Sequence, residues 1–212
     1  MRTTLQYKVC GITSTEQAHA LDELGVHYIG FIFYPHSERY VLSKMSLDEI
    51  SNFTPKNAKK VGVFVNEALE KLLQIASVAG LDCIQLHGDE TPEYGAAISE
   101  RFELIKVFRV GDKMPELAPF ENVANYYLFD TDSKLYGGTG VHFNWELLKG
   151  NTIGKPFFLS GGIGPNDLGG IEVLKQTIAG KDLLAVDMNS QFEDSPGIKN
   201  IEQIKTFIYE IV

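Results

Sequence analysis

Short runs of apolar residues recur along the chain at intervals of roughly 25 residues, and polar segments separate them. Each run is rich in β-branched or aromatic residues, which is typical of strands buried on both faces. We predict eight such strands: Tyr7–Cys10, Tyr28–Phe33, Lys60–Val65, Asp82–Leu86, Leu104–Phe108, Tyr126–Asp130, Pro156–Ser160 and Leu183–Asp187.

The segments between these runs carry helical patterns. Residues 14–25 begin with a serine N-cap candidate and end at a glycine, and residues 67–80 repeat that design. Residues 91–100 place a proline at the predicted helix start, and residues 198–212 space their apolar side chains at helical intervals. The weakest helical pattern, "KMPELAPF", follows the fifth predicted strand.

This alternation of strand and helix predicts a parallel sheet with right-handed crossovers. Eight repeats of the unit favour a closed (β/α)8 barrel, the TIM barrel, formed as a single domain by residues 1–212. An open doubly wound sheet is the alternative. It usually has a glycine-rich phosphate turn after its first strand, whereas "CGITST" contains one glycine here.

Composition and charge limit the class of protein. The chain has 212 residues, of which 44% are hydrophobic, and a formal net charge of −9. That charge argues against sequence-independent nucleic-acid binding, and no apolar run approaches the length of about 18 residues needed for a membrane span. Cys10 and Cys83 lie in apolar runs without a CxxC motif, so we expect reduced thiols and a cytoplasmic protein.

Candidate catalytic and binding residues cluster where the predicted strands end, which is the active face of this kind of barrel. The first strand ends in Cys10, the sixth in Asp130, and the fourth runs into "QLHGDE". His87 is the one histidine at a predicted strand end. A metal-dependent sugar-phosphate epimerase of this fold needs several His and Asp ligands there, so we expect no metal.

Eight strings stand in order on the loops of this face, namely "KVCGIT", "GFIFYPHSERYV", "VGVFVNE", "IQLHGDE", "LFDT", "GGTGVHFNW", "LSGGIGPNDL" and "DSPGIKN". In them the chain resembles the phosphoribosylanthranilate isomerases of tryptophan biosynthesis over nearly its whole length. The resemblance implies a single (β/α)8 barrel and an Amadori rearrangement of N-(5-phosphoribosyl)anthranilate without a cofactor.

The resemblance also implies roles for particular residues. Cys10 is the expected general base, Asp130 the expected general acid, and Arg39 the expected partner of the anthranilate carboxylate. The remaining predicted substrate-binding residues are Gln85, His87, Gly138 and Asp187, and the predicted phosphate-binding residues are Gly161, Gly162, Asn189 and Ser190. The eighth loop departs from the family, because Gln191 follows Asn189-Ser190 where a glycine is expected.

The forward reaction needs a thiolate and a carboxylic acid together. Reference pKa values of about 8.5 for cysteine and 3.9 for aspartate favour the opposite arrangement by roughly 6 kcal/mol. Helix N-termini at this face and an inward-pointing Lys8 are candidates for stabilising the thiolate. Lys8 is equally well explained as a structural charge paired with a carboxylate, and Asp187 as its partner.

Two alternative functions remain from the sequence: a catalytically silent barrel that binds a phosphorylated ligand, and another sugar-phosphate isomerase or epimerase of this fold. A turnover assay separates both from the predicted isomerase. The expected partner is a small phosphorylated substrate, and the sequence leaves open whether the protein is a monomer or a homodimer.

Overall fold

Eight parallel strands pair in chain order, and the last pairs with the first, in the computed structural model, which describes residues 4–131 and 143–210. This closed barrel confirms the predicted fold, and each strand lies within two residues of its predicted ends. The strands are β1 (Gln6–Cys10), β2 (Tyr28–Ile32), β3 (Lys59–Phe64), β4 (Cys83–Leu86), β5 (Glu103–Val110), β6 (Tyr126–Thr131), β7 (Phe157–Leu159) and β8 (Leu183–Met188).

Helices lie outside the barrel and connect most of the strands. Within the described ranges they are α1 (Thr15–Glu23), α2 (Leu47–Asn52), α3 (Leu69–Ala79), α4 (Pro92–Ser99), α5 (Glu146–Lys149), α6 (Leu168–Lys175) and α7 (Ile201–Glu210). None of the helices in this part of the chain is long and apolar enough to cross a membrane.

Local residue choices explain where the predicted helices begin and end. The Ser14 hydroxyl accepts a hydrogen bond from the Gln17 N–H at 3.3 Å, which caps α1. Gly80 ends α3 with φ +62°, a left-handed conformation that glycine adopts without steric cost. Pro92 occupies the first turn of α4, where its missing N–H leaves no hydrogen bond unmade.

Two helical predictions differ from the structure. The weak pattern at residues 113–120 forms only a 3₁₀ turn, Ala118–Phe120. The last helix begins at Ile201 rather than residue 198, because Ile198–Lys199 form strand β10, which pairs antiparallel with β9 (Glu193–Ser195). This small hairpin brings the chain after β8 back over the barrel end.

Side chains alternate between the barrel interior and the layer beneath the helices. The interior carries a compact apolar cluster, with Val61, Ile105, Leu128, Phe158 and Ala185 among its members. A larger apolar cluster packs the strands against the helices. Polar side chains at the carboxyl ends of the strands therefore lie next to an apolar barrel interior, where charges interact more strongly than they do in water.

Candidate active site

A cavity opens at the carboxyl ends of the strands and encloses about 710 Å³ of empty space, including its mouth. Nine of the predicted site residues line it: Cys10, Gln85, His87, Asp130, Gly161, Gly162, Asp187, Asn189 and Ser190. The barrel thus brings together residues that lie up to 180 positions apart in the sequence.

Sequence reasoning missed the apolar wall of this cavity. Its members are Ile32, Tyr34, Val63, Val65 and Ile163. Ile32 and Val63 lie in or next to predicted strands, and their apolar character gave no sign that they face a ligand rather than the core. A wall of this composition suits a flat apolar group such as an aromatic ring.

Cys10 is the last residue of β1, and its thiol is almost fully buried at the cavity floor. Gly30 on the neighbouring strand β2 leaves room for it, since a Cβ at that position would lie 2.9 Å from Sγ. Burial raises the pKa of the thiol above its ordinary value, and the charge of Lys8 opposes that rise. A nearby cation thus favours the thiolate against desolvation.

Lys8 lies two residues before Cys10 on the same face of β1 and is completely buried. Its Nζ is 2.8 Å from Oδ1 of Asp187 on β8, a paired neighbour of β1. Burial alone would lower the pKa of Lys8, but the charges of Asp187 and Cys10 hold it above its ordinary value. Lys8 is therefore charged and paired with Asp187, as the structural interpretation of the two residues predicted. It also faces the thiol.

Asp130 lies near the end of β6, and both of its carboxyl oxygens have neighbours. Oδ1 accepts a hydrogen bond from the Thr131 N–H at 2.8 Å, and Oδ2 is 3.2 Å from His87 Nε2. Gly161 packs directly against this pair, because a Cβ there would lie 2.5 Å from Thr131 Oγ1 and 3.1 Å from Asp130 Oδ1. Only glycine fits that position, which also has φ +88°.

The loop after β4 fixes His87 next to Asp130. The buried Glu90 accepts hydrogen bonds from the backbone N–H groups of Asn66 and Gly88 and pairs with Lys106 at 3.0 Å. The His87 carbonyl accepts a hydrogen bond from Arg109 Nη2 at 3.0 Å. These contacts hold the backbone at His87 and Gly88 in place, which limits where the imidazole can lie.

Arg39 lies in the loop after β2 but is not among the residues that line the cavity. Its Nε and Nη2 donate to the carboxylate of Glu193 at 2.6–3.0 Å, and the two side chains are only 12% and 3% exposed. Lys199 also donates to Glu193, at 2.6 Å. Binding of a substrate carboxylate by Arg39 stays a prediction, which requires Nη1 or a displacement of Glu193.

The loops after β7 and β8 contain the predicted phosphate-binding residues. Gly161 and Gly162 both have left-handed φ angles, +88° and +82°, which let the backbone approach an anion closely. The Asn189 side chain accepts a hydrogen bond from Lys199 Nζ at 2.8 Å, so its backbone rather than its amide oxygen is suited to an anion.

Gln191, the departure noted in the eighth loop, is exposed, and its Cβ lies 3.4 Å from where a Cβ on Gly164 would be. It is not one of the residues that line the cavity. Gly138, a predicted substrate-binding residue, lies outside the described residues. In residues 4–131 and 143–210, no group of three or more His, Cys, Asp or Glu side chains is arranged to hold a metal ion.

Comparisons with known proteins agree with this geometry. The model of the N-(5'-phosphoribosyl)anthranilate (PRA) isomerase family matches residues 7–210. The N-(5'-phosphoribosyl)anthranilate isomerase of Parabacteroides distasonis is 37% identical over 208 residues, which are 97% of this chain and 92% of that protein.

Comparison with two solved structures shows that the similarity extends to the fold. The phosphoribosylanthranilate isomerase of Thermotoga maritima has a TM-score of 0.79 and 35% identity, with 98% of each chain covered. A phosphoribosylanthranilate isomerase in complex with reduced 1-(o-carboxyphenylamino)-1-deoxyribulose 5-phosphate has a TM-score of 0.74 and 31% identity, again with 98% of each chain covered.

Proposed function

The chain belongs to the N-(5'-phosphoribosyl)anthranilate isomerase family, and from that premise we propose that Cys10 and Asp130 carry out its reaction as an acid–base pair. The protein is an isomerase of tryptophan biosynthesis. It converts N-(5-phosphoribosyl)anthranilate into 1-(2-carboxyphenylamino)-1-deoxyribulose 5-phosphate by an Amadori rearrangement. The observation that carries the proposed roles is that a thiol at the end of β1 and a carboxyl near the end of β6 line the same cavity.

In the first step Asp130 donates a proton to the furanose ring oxygen, the C1′–O bond breaks, and the ring opens to a Schiff base. The Cys10 thiolate then removes the proton from C2′, which gives an enolamine that tautomerises to the ketone. Asp130 loses one proton and Cys10 gains one, so the pair keeps its total proton count. Acid and base have to flank one small substrate, and the proposal is supported by Cys10 and Asp130 lining the same cavity.

Three surfaces of the cavity suit three parts of the substrate. The apolar wall around Tyr34 fits the aromatic ring, and the glycine backbone at Gly161 and Gly162, with Asn189 and Ser190, fits the phosphate. Asp187 is held by Lys8, and its second oxygen is 3.4 Å from the Ser160 hydroxyl. Asp187 lines the cavity, and its role in this proposal is to orient a ribose hydroxyl.

The decisive assay follows the loss of substrate fluorescence with the purified protein. Turnover distinguishes the isomerase from a silent barrel that only binds a phosphorylated ligand. Absence of turnover with a correctly folded protein would refute the proposed roles of Cys10 and Asp130.

Arg39→Ala is expected to raise KM on the order of 10–100-fold and to change kcat little, because an ion pair to a non-reacting carboxylate acts in the ground state and the transition state alike. Steady-state kinetics of the purified variant provide the measurement. Arg101→Ala is the matched control, since this arginine is exposed and donates to Ser77 away from the cavity. A lower kcat at unchanged KM would contradict the role assigned to Arg39.

Treatment with EDTA is expected to leave kcat and KM unchanged, because the proposed proton transfers use only side chains of this chain. The measurement compares activity before and after dialysis against the chelator. Activity that disappears and returns with a divalent ion would favour the metal-dependent epimerase class instead.

We infer further that residues 1–212 form one catalytic domain with a small phosphorylated molecule as its partner. The phosphoribosylanthranilate isomerase of Thermotoga maritima is dimeric. For this chain both a monomer and a homodimer are proposed states, which the mass measured by light scattering separates. A cytoplasmic location agrees with two free, buried cysteines and stays a prediction.

A further inference from the structure

Three side chains form a continuous hydrogen-bonded row along the cavity floor. Gln85 on β4 is 1% exposed, and its Nε2 is 3.1 Å from Nδ1 of His87. The other ring nitrogen of His87, Nε2, is 3.2 Å from Oδ2 of Asp130. The row ends at the proposed general acid, so the position of each proton in it decides whether Asp130 has one to donate.

An amide can turn by 180° with almost no change of shape, which exchanges its oxygen and its nitrogen. As placed, Gln85 Oε1 is buried and has no hydrogen-bond partner among the described residues. If the amide turned, Nε2 would occupy that buried position and would lack a hydrogen-bond partner there instead of Oε1. Hydrogen-bond satisfaction therefore does not choose between the two orientations, whereas the chemistry of Asp130 does.

If Gln85 donates to Nδ1, the neutral His87 carries its proton on Nε2 and donates it to Asp130. Both oxygens of Asp130 are then acceptors, because Oδ1 already accepts from the Thr131 N–H. A carboxylate in that state has no proton for the ring oxygen of the substrate. This arrangement favours the carboxylate, which accepts both hydrogen bonds, over the acid form that the role proposed for Asp130 needs.

If Gln85 Oε1 instead accepts from Nδ1–H, the row holds one more proton. That proton lies in the hydrogen bond between His87 Nε2 and Asp130 Oδ2, bonded to either atom. Asp130 can then supply it to the substrate. The amide orientation of Gln85 thus sets the number of protons in the row.

Charged groups of both signs surround the row. Asp187 on β8 is a buried carboxylate, and Asp130 and His87 are both close enough to influence its ionisation. On β1, Lys8 is already paired with Asp187, and Cys10 becomes an anion when it acts as the base. Arg109 on β5 contacts the His87 carbonyl and the carboxylate of Asp89. A phosphorylated substrate adds further negative charge, which a proton held in the row would partly offset.

We propose that Gln85 is a positioning residue that keeps His87 protonated at Nδ1, so that the hydrogen bond between His87 Nε2 and Asp130 Oδ2 holds the proton delivered to the substrate. This proposal rests on the acid role of Asp130. It changes the predicted role of Gln85 and His87 from binding the substrate to supplying the acid. Gln85 acts through His87 and needs no contact with the substrate.

Imidazole ¹⁵N NMR of the free protein tests the protonation state directly. Protonated and bare ring nitrogens differ greatly in ¹⁵N shift, and comparison with His87→Asn assigns the signals of His87 among the five histidines. The expected result at neutral pH is a protonated Nδ1. A bare Nδ1 with a protonated Nε2 would overturn the proposal, even if Asp130→Asn abolished activity and so supported the proposed function.

Gln85→Met removes the acceptor while keeping a similar volume, and Gln85→Glu keeps an acceptor. In the methionine variant we expect Nδ1 to lose its protonation and kcat to fall on the order of 10–100-fold, part of the effect of a general acid, with KM nearly unchanged. The glutamate variant should keep Nδ1 protonated and lose less kcat than the methionine variant.

Gln6→Met is the matched control, because Gln6 has a similarly buried, unpartnered Oε1 among the described residues but lies at the opposite end of the barrel. It should change neither the His87 signals nor kcat. A Gln85→Met protein with raised KM and unchanged kcat would show that Gln85 binds the substrate, and the proposal would be wrong. If that variant does not fold, the wild-type ¹⁵N spectrum decides alone.

Discussion

Cys10→Ser is expected to fold normally and to lose activity by several orders of magnitude, because general base catalysis contributes about 10²–10⁴-fold. A hydroxyl has nearly the shape of a thiol, and Gly30 leaves space around Sγ. A serine hydroxyl, however, does not ionise near neutral pH, whereas a thiol can. The measurement is kcat/KM together with a thermal unfolding curve that shows an intact fold.

The pH dependence provides a second readout for this variant. Burial raises the pKa of Cys10 against the opposing charge of Lys8, so the thiolate forms only as the pH rises through that raised value. The base form is therefore a minor species in the free protein at neutral pH and grows with pH. Wild-type kcat/KM should therefore rise with pH as the thiolate forms, and Cys10→Ser should lose that rise.

Cys83→Ser is the matched control, because this second buried cysteine lies inside the barrel with its Sγ 3.4 Å from Glu103 and does not line the cavity. Its serine hydroxyl can donate to the same carboxylate, so we expect activity close to the wild type. A fully active Cys10→Ser enzyme would show that the thiol only packs the barrel, and the base would have to be sought elsewhere.

Asp130→Asn is expected to lower kcat/KM by about 10²–10⁴-fold as well, because an amide has no proton to transfer to the ring oxygen. The amide oxygen can still accept the Thr131 N–H, and the tight contact with Gly161 is unchanged in size, so the fold should persist. Steady-state kinetics should place most of the loss in kcat. Asp112→Asn, at an exposed aspartate in the loop after β5, should behave as the wild type.

The double variant of Cys10→Ser and Asp130→Asn distinguishes a cooperating pair from two independent groups. Residues that act as a unit give non-additive losses, so the double variant should be little worse than either single one. Losses that multiply would mean that the two residues serve separate steps, and the paired mechanism would not stand.

The barrel itself could be predicted from the sequence because a strand buried on both faces has to be apolar throughout. Eight such apolar runs are separated from one another by polar segments along the chain. The same reasoning placed Cys10 and Asp130 at strand ends, which is enough to put them at one face. Helix α2 was not predicted, because six residues carry too little periodicity. Ile198 was assigned to the last helix by its spacing, although the left-handed Gly197 turns the chain into a hairpin there.

The partners of the charged residues could not be predicted in the same way. Arg39 meets Glu193 across 154 positions, and His87 meets Asp130 from a different strand, so both contacts depend on how the barrel closes. Alternation along β1 shows that Lys8 and Cys10 share a face, but the identity of the carboxylate beside Lys8 follows only from the pairing of β1 with β8. Sequence patterns specify which face of a strand a side chain occupies. Closure of the barrel then determines which side chains from other strands it contacts.

The ion pair between Lys8 and Asp187 joins two residues 179 positions apart across the seam where β1 meets β8. At about 5–20 residues per second, the ribosome needs roughly 9–36 s to synthesise the stretch between them. Throughout that interval the nascent β1 lacks β8 as its neighbour on one edge, and Lys8 lacks its ion-pair partner. The Cys10 thiol thus lacks the β8 side of its enclosure during every round of translation and gains it only when the last strand docks.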